Sequence, residues 1–179
     1  MRKFLLPLFE IIETIAIAVV AVFLVRTFVV QPFLVSGSSM EPSFYNSDYL
    51  LVDELTYRFR EPSRGEVIVF KYPGNHRSYY IKRIIGLPGE HIVIDNGKIS
   101  IYKDGKGIDL KEPYISHLKS SGHFETTLNE NQYFVMGDNR NFSFDSRSWG
   151  SLNRSEIIGL ARLRLWPMNK VMAFTSPAY

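Results

Sequence analysis

The stretch SGSSMEPS, residues 36–43, contains a serine in a setting that suits nucleophilic chemistry. Gly37 permits unusual backbone angles two residues before Ser39, and Pro42 stiffens the chain three residues after it. A serine on such a tight turn can present its hydroxyl and its own backbone N–H to one carbonyl, as a nucleophile and half of an oxyanion hole. Taken alone, however, the stretch favours a Ser/Gly linker.

A lysine suited to general-base chemistry lies in the stretch SYYIKRIIGL, residues 78–87. If this stretch is a strand, Lys82 shares a face with Tyr80 and Ile84, and Arg83 points to the other face. Desolvation by such neighbours lowers the pKa of a lysine from about 10.4, so that the neutral amine can accept a proton near working pH. The alternative is an ordinary strand lysine whose ammonium reaches solvent.

A third segment, residues 136–150, combines Asp, Arg, Asn and Ser with turn residues in the sequence MGDNRNFSFDSRSWG. Buried polar groups must be hydrogen-bonded, so a dense polar loop at the end of a strand indicates the scaffold of a site. Asp145 and Arg147 are spaced to pair across one residue on a strand face. The alternative is a solvated loop.

The elements that must position these side chains follow a period of two, which predicts an antiparallel β domain. Asp95-Asn96-Gly97 is a strong hairpin signal, and residues 104–131 are polar and predict an irregular surface insertion. Residues 157–165 alone could also form a helix. The predicted strands are Tyr49–Leu55, Glu66–Tyr72, Ser78–Leu87, His91–Ile94, Lys98–Tyr102, Gln132–Met136 and Ile157–Trp166.

Residues 15–25 are all apolar or small, and the stretch 11–30 around them, with Glu13 and Arg26 towards its two ends, has the length of a transmembrane helix, about 20 residues. Arg2 and Lys3 precede it, and the next cation after Arg26 is Arg58, so the positive-inside rule places the N-terminus in the cytoplasm. We therefore predict a cytoplasmic segment 1–10, a signal anchor 11–30 and an extracytoplasmic domain 31–179. The alternative is a buried core helix.

Composition excludes several classes of function. The net charge is +3 and the cations are scattered, which does not indicate a nucleic-acid-binding protein. The chain has no cysteine, so it has no thiol nucleophile, disulfide or cysteine-ligated zinc. The four histidines lack a metal-ligand spacing. We expect neither a metal nor a cofactor.

The chain resembles the bacterial type I signal peptidases in four sequence boxes that follow an N-terminal anchor in that family's order. The resemblance covers nearly the whole chain, and four boxes in this order make it specific. They are Ser39-Met40-Glu41-Pro42, the strand box from Arg64 to Phe70, Lys82-Arg83 through Gly89, and Gly137 through Gly150.

The resemblance implies a role for each matching residue. It makes Ser39 the nucleophile, Lys82 the general base and Ser143 the serine that orients the lysine. Asp145 and Arg147 match a supporting ion pair, and Asp138 matches a further supporting residue of the last box.

In some members a hydroxyl two residues before the nucleophile donates to the oxyanion, but this chain has Gly37 there. Ser38 or a backbone group could replace that hydroxyl. The chain also has Asn141-Phe142 where the family often has Asp-Asn, and Ser43 where threonine is usual.

The implied substrates are preproteins whose signal peptides end in small residues, in an Ala-x-Ala pattern. Candidates to line the shallow substrate pockets are Met40, Phe44, Tyr80 and Ile81, which could equally be core residues. Ser39 lies nine residues beyond Val30, within roughly 30 Å of the anchor end, so a substrate would be met near a lipid bilayer. The implied location is the bacterial cytoplasmic membrane, with the secretion translocon nearby.

Two other functions remain open at this point. One is a related Ser/Lys peptidase with a narrow substrate range, such as a pilus-processing protease. The other is a catalytically silent, membrane-anchored β module that binds an extracytoplasmic partner.

Overall fold

The computed structural model describes residues 2–28, 30–115 and 122–177, and in the first helix it describes side chains from Phe9 to Phe23. Strands dominate these ranges, as the predicted antiparallel β domain requires. The α-helices are α1 (Arg2–Phe28) and α2 (Ser146–Trp149), and single-turn 3₁₀ helices lie at Thr56–Arg58, Arg154–Glu156 and Met168–Lys170. The strands are β1 (Val30–Leu34), β2 (Tyr49–Asp53), β3 (Val67–Tyr72), β4 (Asn75–Gly86), β5 (His91–Asp95), β6 (Lys98–Lys103), β7 (Lys106–Asp109), β8 (His123–Thr127), β9 (Gln132–Met136), β10 (Leu152–Asn153), β11 (Ile157–Trp166) and β12 (Met172–Ala173).

The segments that contain Ser39, Lys82 and Asp145 lie on strands of the first sheet or in the loops that join them. Its strand order is β1-β2-β11-β3-β4-β9-β10, with β12 paired to β11, and every pairing is antiparallel. The stretch Val67–Phe70 of β3 is buried at every position because apolar clusters cover both faces of the sheet. The pattern of a continuous apolar run is typical of such a central strand.

The predicted strands are confirmed, including Ile157–Trp166, for which the helical alternative is wrong. The hairpin at Asp95-Asn96-Gly97 is confirmed as well. Asn96 and Gly97 both have positive φ, 47° and 84°, and Asp95 pairs with Lys98. Two consecutive positive φ angles match the right-handed twist of the flanking strands in a two-residue turn.

The second sheet has the order β7-β6-β5-β8 and shows where the sequence prediction was wrong. Residues 104–131 were expected to be irregular, but they supply β7 and β8, which pair with β6 and β5. Polar residues are compatible with these strands because β7 is exposed throughout and β8 alternates between exposed and half-buried positions. Residues 116–121 of the predicted insertion lie outside the described residues.

The helix α1 runs from Arg2 to Phe28, and Val30, which the sequence assigned to the anchor, is the first residue of β1. Residue 29 of the predicted anchor lies outside the described residues. Among the residues that the structure describes, no helix meets the length and apolarity required to cross a membrane.

A gap between two strand edges determines where a peptide can lie. The strand β4 pairs with β9 at Arg83, Ile84 and Gly86, and within the described residues no strand pairs with that edge from Ser78 to Lys82. The sheet curls so that β1 approaches this open edge. The distance of 5.5 Å between the rings of Phe33 on β1 and Tyr79 on β4 shows how close the two strands come. Open strand edges present unpaired N–H and C=O groups to a further strand.

Candidate active site

The structure brings Ser39 and Lys82 together from positions 43 residues apart in the chain. Lys82 Nζ lies 2.7 Å from Ser39 Oγ, within hydrogen-bond distance. Ser39 lies in a turn in which the Glu41 amide donates to the Ser38 carbonyl, and Lys82 projects from β4. This is the contact that a serine nucleophile makes with an adjacent base.

The surroundings of Lys82 favour its neutral form. The residue is 4% exposed, and burial lowers the pKa of its amine from 10.5 to about 8. The carboxylates of Asp145 and Asp138 oppose this shift, because negative charge stabilises the ammonium. Nζ also contacts the Ile81 carbonyl at 2.9 Å, and the Tyr80 ring centroid lies 5.7 Å from it. The Tyr80 ring therefore lies beside the Lys82 amine, on the strand face that the sequence predicted the two residues to share.

The loop after β9 holds the backbone of the nucleophile. The backbone amide of Asn139 donates to the Ser39 carbonyl at 3.0 Å, and its side-chain amide donates to the Ser38 carbonyl at 3.1 Å. The sequence analysis did not identify Asn139, although it lies inside the last box. Nothing in the local pattern indicates that its partners are 100 residues away in the chain.

Gly137 is required because the loop approaches Ser39 very closely. A Cβ atom at position 137 would lie 2.2 Å from Ser143 Oγ and 2.3 Å from the Ser39 carbonyl oxygen. Real Cβ atoms do not make contacts this short, and one of the two neighbours is backbone. A side chain at this position would therefore force the Ser39 backbone or the loop to shift.

Ser143 lies at the site, but its contacts differ from the predicted ones. Its hydroxyl is buried beside Asp145, where it helps to lower the pKa of that carboxyl, and no bond from Ser143 to Lys82 is present among the described residues. The hydroxyl packs against the Cα of Gly137 instead. Its orienting role therefore stays a prediction.

Asp145 and Arg147 pair as predicted, but on a different element. Asp145 caps the N-terminus of α2 and contacts Arg147 Nη2 through Oδ2 at 2.8 Å, so the pair does not lie on a strand face. Burial raises the pKa of the Asp145 carboxyl, but the bonds from Arg147 and the Gly137 amide outweigh burial and hold the pKa below its ordinary value. Asp145 is therefore ionised near Lys82.

Asp138 forms a second buried ion pair, with Arg83. Arg83 Nε and Nη2 bind the two carboxylate oxygens at 2.9 and 2.6 Å, and Nη1 donates to the Gly65 carbonyl at 2.8 Å. The same guanidinium contacts Ser43 Oγ at 3.3 Å. The sequence analysis found Asp138 but gave Arg83 no role, although its position beside Lys82 placed it on the opposite strand face.

Arg140 and Glu112 extend this buried charge. Arg140 Nη1 donates to Glu112 Oε2 at 2.9 Å, and a second hydrogen bond joins the two groups. Arg147 Nη2 donates to the Arg140 carbonyl at 2.7 Å, which links this pair to the Asp145 pair. The loop that holds Ser39 is therefore fixed from both sides by charge-assisted hydrogen bonds.

Gly37 and Ser38 line the approach to Ser39. Gly37 has φ of +93°, in the range that favours glycine, and its amide donates to Asn46 Oδ1 at 2.9 Å. Open space surrounds the position of its missing side chain. Ser38 is exposed in the same turn. Both residues are beside the reacting hydroxyl, and their oxyanion roles stay predictions.

A groove of about 590 Å³ lies between the two facing strand edges and ends at Ser39 and Lys82. Tyr80 and Ile81 line it, as predicted. Met40 and Phe44 do not, and their prediction as pocket residues was wrong. Both side chains are fully buried in the cluster of Val35, Leu50 and Val67, because the turn directs them inward. Val35, Leu50 and Val69 form the apolar lining that the sequence analysis missed.

Comparisons with known proteins identify the family of this chain. A family profile described as signal peptidase, peptidase S26, matches residues 8–166. A probable signal peptidase I-2 of Synechocystis is 37% identical over 94% of this chain and 78% of its own length. Signal peptidase I of Leptolyngbya laminosa is 36% identical over 92% and 83%, respectively, and signal peptidase I V of Bacillus subtilis is 37% identical over 70% and 80%.

A solved signal peptidase I from Enterococcus faecalis V583 is 30% identical to this chain, with a TM-score of 0.48. The match covers 56% of this chain and 97% of that chain. The profile match and the relatives cover most of the sequence. The chain therefore belongs to the signal peptidase family, peptidase S26.

Proposed function

We propose that this protein is a serine endopeptidase that removes signal peptides from exported preproteins by means of Ser39 and Lys82. The 2.7 Å contact between Ser39 Oγ and a buried lysine amine carries the proposal. With the pKa of Lys82 near 8, about a tenth of the amine is neutral at pH 7. Membership in the signal peptidase family supports the choice of substrate class.

The chemistry is acyl transfer in two steps. Neutral Lys82 accepts the Ser39 proton while Oγ attacks the peptide carbonyl, and the Ser39 N–H stabilises the oxyanion. The C–N bond then breaks, and the leaving amine takes the proton from Lys82. Lys82 next accepts a proton from water, whose oxygen attacks the ester, and Ser39 recovers its hydroxyl. Ser38 is our candidate for the second oxyanion donor.

The groove supports cleavage after small residues. An extended peptide paired with the open edge of β4 directs alternate side chains to opposite sides. Apolar side chains of Val35, Leu50, Val69 and Ile81 line one side of the groove, and the first three are at most 6% exposed, so we propose that this side accepts only small side chains. Two small residues separated by one position, as in Ala-x-Ala, fit this side.

The proposed location is the cytoplasmic membrane of a bacterium, near the secretion translocon, with the helix α1 as the anchor and the β domain outside. The apolar side chains of α1 between Phe9 and Phe23 support it, because the large ones are 56–67% exposed. A contiguous run of exposed apolar side chains marks a surface that contacts lipid or another protein. Carbonate extraction of membranes and external protease digestion test this proposal: release of the protein by carbonate, or protection of the β domain, would contradict it.

The test of the activity is cleavage, in detergent, of a preprotein whose signal peptide ends in Ala-x-Ala. We expect the wild type to cut after the second alanine and Ser39→Ala and Lys82→Ala to lose at least about 1000-fold in rate. Ser100→Ala and Lys103→Ala, on the second sheet, are matched controls and should cut normally. An inert wild type on several such substrates, or an active Ser39→Ala variant, would refute the proposal.

A further inference from the structure

Two phenylalanines on either side of Ser143 are exposed at the groove. Phe142 is 74% exposed and Phe144 is 52% exposed, and both line the groove with Ser39 and Lys82. Exposed apolar side chains that lie together beside a groove mark a binding site more often than isolated ones do. Here the open groove is the space beside them. We call these two side chains the aromatic lip.

The aromatic lip is held in place by its surroundings. The Phe142 amide donates to the Asn139 carbonyl at 3.0 Å, within the loop that also holds Ser39. The Phe144 ring lies 5.9 Å from that of Tyr72, in an edge-on arrangement, and Tyr72 stacks on Tyr80 at 4.7 Å. A preorganised apolar surface loses little conformational entropy when it binds a ligand.

Phe144 and the apolar lining of the groove lie on opposite faces of the first sheet. Ile81 and Val69 point to the face that contains Met40 and Phe44, because they pair in register and alternate with their neighbours. Tyr80 points to the other face, towards Tyr72 and so towards Phe144. A peptide between the two edges therefore has the shallow lining on one side and aromatic rings on the other.

We propose that the aromatic lip binds the middle residue of the small-x-small motif and makes this peptidase favour a large apolar residue there. The inference rests on the proposed function. When the two small residues of an extended substrate face Val69 and Ile81, the residue between them faces Tyr80 and the lip. A leucine or phenylalanine at that position would cover rings that are otherwise exposed to water.

The test compares peptides that are identical except for the residue between the two alanines, which is Leu, Phe, Ala or Asp. We expect wild-type kcat/KM to be about tenfold higher for Leu and Phe than for Ala, with Asp lowest, because apolar contacts at a partly open site give modest discrimination. For the Phe142→Ala/Phe144→Ala double variant, the kcat/KM values of the four peptides should lie within about threefold of one another.

Phe59→Ala is the matched control. Phe59 is also an exposed aromatic residue, at 81%, but it does not line the groove, so this variant should keep the preference. Equal cleavage of the four peptides by the wild type would overturn the inference without affecting the proposed function. So would a preference for Leu and Phe over Ala that survives in the double variant. If the wild type cuts none of the peptides, the proposed function itself fails.

Discussion

The two sheets of this protein bury different kinds of side chain. Around the site, the first sheet and its loop bury Lys82, Arg83, Asp138, Arg140 and Asp145, each at most 6% exposed. The second sheet packs a cluster of Ile, Leu, Phe and Met side chains that contains no charged residue. Ile85, Phe134 and Met136 of the first sheet complete that cluster, so the two regions share one boundary along β4 and β9.

The two regions therefore contribute differently, since one positions the side chains of the site and the other stabilises the fold. Burial of apolar surface is the main favourable contribution to folding. Buried ion pairs contribute little net stability, because desolvation offsets their attraction, yet removing one partner is strongly destabilising. The charged region holds Ser39, Lys82 and the loop in one geometry, whereas the aliphatic region supplies stability without taking part in the chemistry.

The largest expected effect is the loss of Asp138. Asp138→Ala takes the carboxylate away from the buried Arg83 guanidinium and should reduce the free energy of unfolding by about 3–5 kcal/mol. Urea denaturation measures the change. Asp109→Ala, which breaks the exposed Lys98–Asp109 pair on the second sheet, is the control and should leave the midpoint unchanged. If both variants lost the same free energy of unfolding, the buried pair would be no more important for stability than the exposed pair.

The aliphatic region should lose stability without losing activity. Ile99→Ala creates a cavity in the second cluster and should reduce the free energy of unfolding by about 3 kcal/mol. At a temperature where the variant is folded, its kcat/KM on an Ala-x-Ala peptide should match the wild type. A large loss of kcat/KM in the folded variant would mean that the second sheet helps to position the groove.

Two glycines, Gly137 at the site and Gly86 beside the aliphatic cluster, allow the two regions to be compared by adding one methyl group to each. Gly137→Ala places a Cβ 2.3 Å from the Ser39 carbonyl and should reduce kcat/KM by about 100-fold, since a shift of about 1 Å in reacting groups has this effect. Gly86→Ala places a Cβ 2.2 Å from Ile92 Cδ1, at the end of a side chain, so it should reduce stability instead. An active Gly137→Ala variant would show that the loop can move away from Ser39.

The smallest expected effect is a shift of the pH profile. Only neutral Lys82 can accept the Ser39 proton, so kcat/KM should rise with pH and level off above a midpoint near 8. Asp145→Asn removes a negative charge that raises the pKa of Lys82, so the midpoint should move to lower pH. Asp109→Asn should leave it in place. A profile that stays flat between pH 6 and 9 would exclude Lys82 as the base.

Much of the fold follows from local patterns in the sequence. Alternation of apolar and polar residues predicted β2, β5 and β6, and a continuous apolar run predicted β3. The hairpin at Asn96-Gly97 was predictable because few residues tolerate two positive φ angles in succession. The strands β7 and β8 were missed because polar residues on an exposed edge carry little periodic signal.

For the site, the sequence alone determined which residue types were available: a serine on a small-residue turn, a lysine on a strand and a polar loop rich in Asp and Arg. Tertiary structure decided their contacts. The turn directs Met40 and Phe44 into the core, Arg83 reaches Asp138 across 55 residues, and the loop places Asn139 against the Ser39 carbonyl. The physical reason is that such contacts depend on how the sheet curls and on which edge of β4 stays open. No local pattern of residues encodes either property.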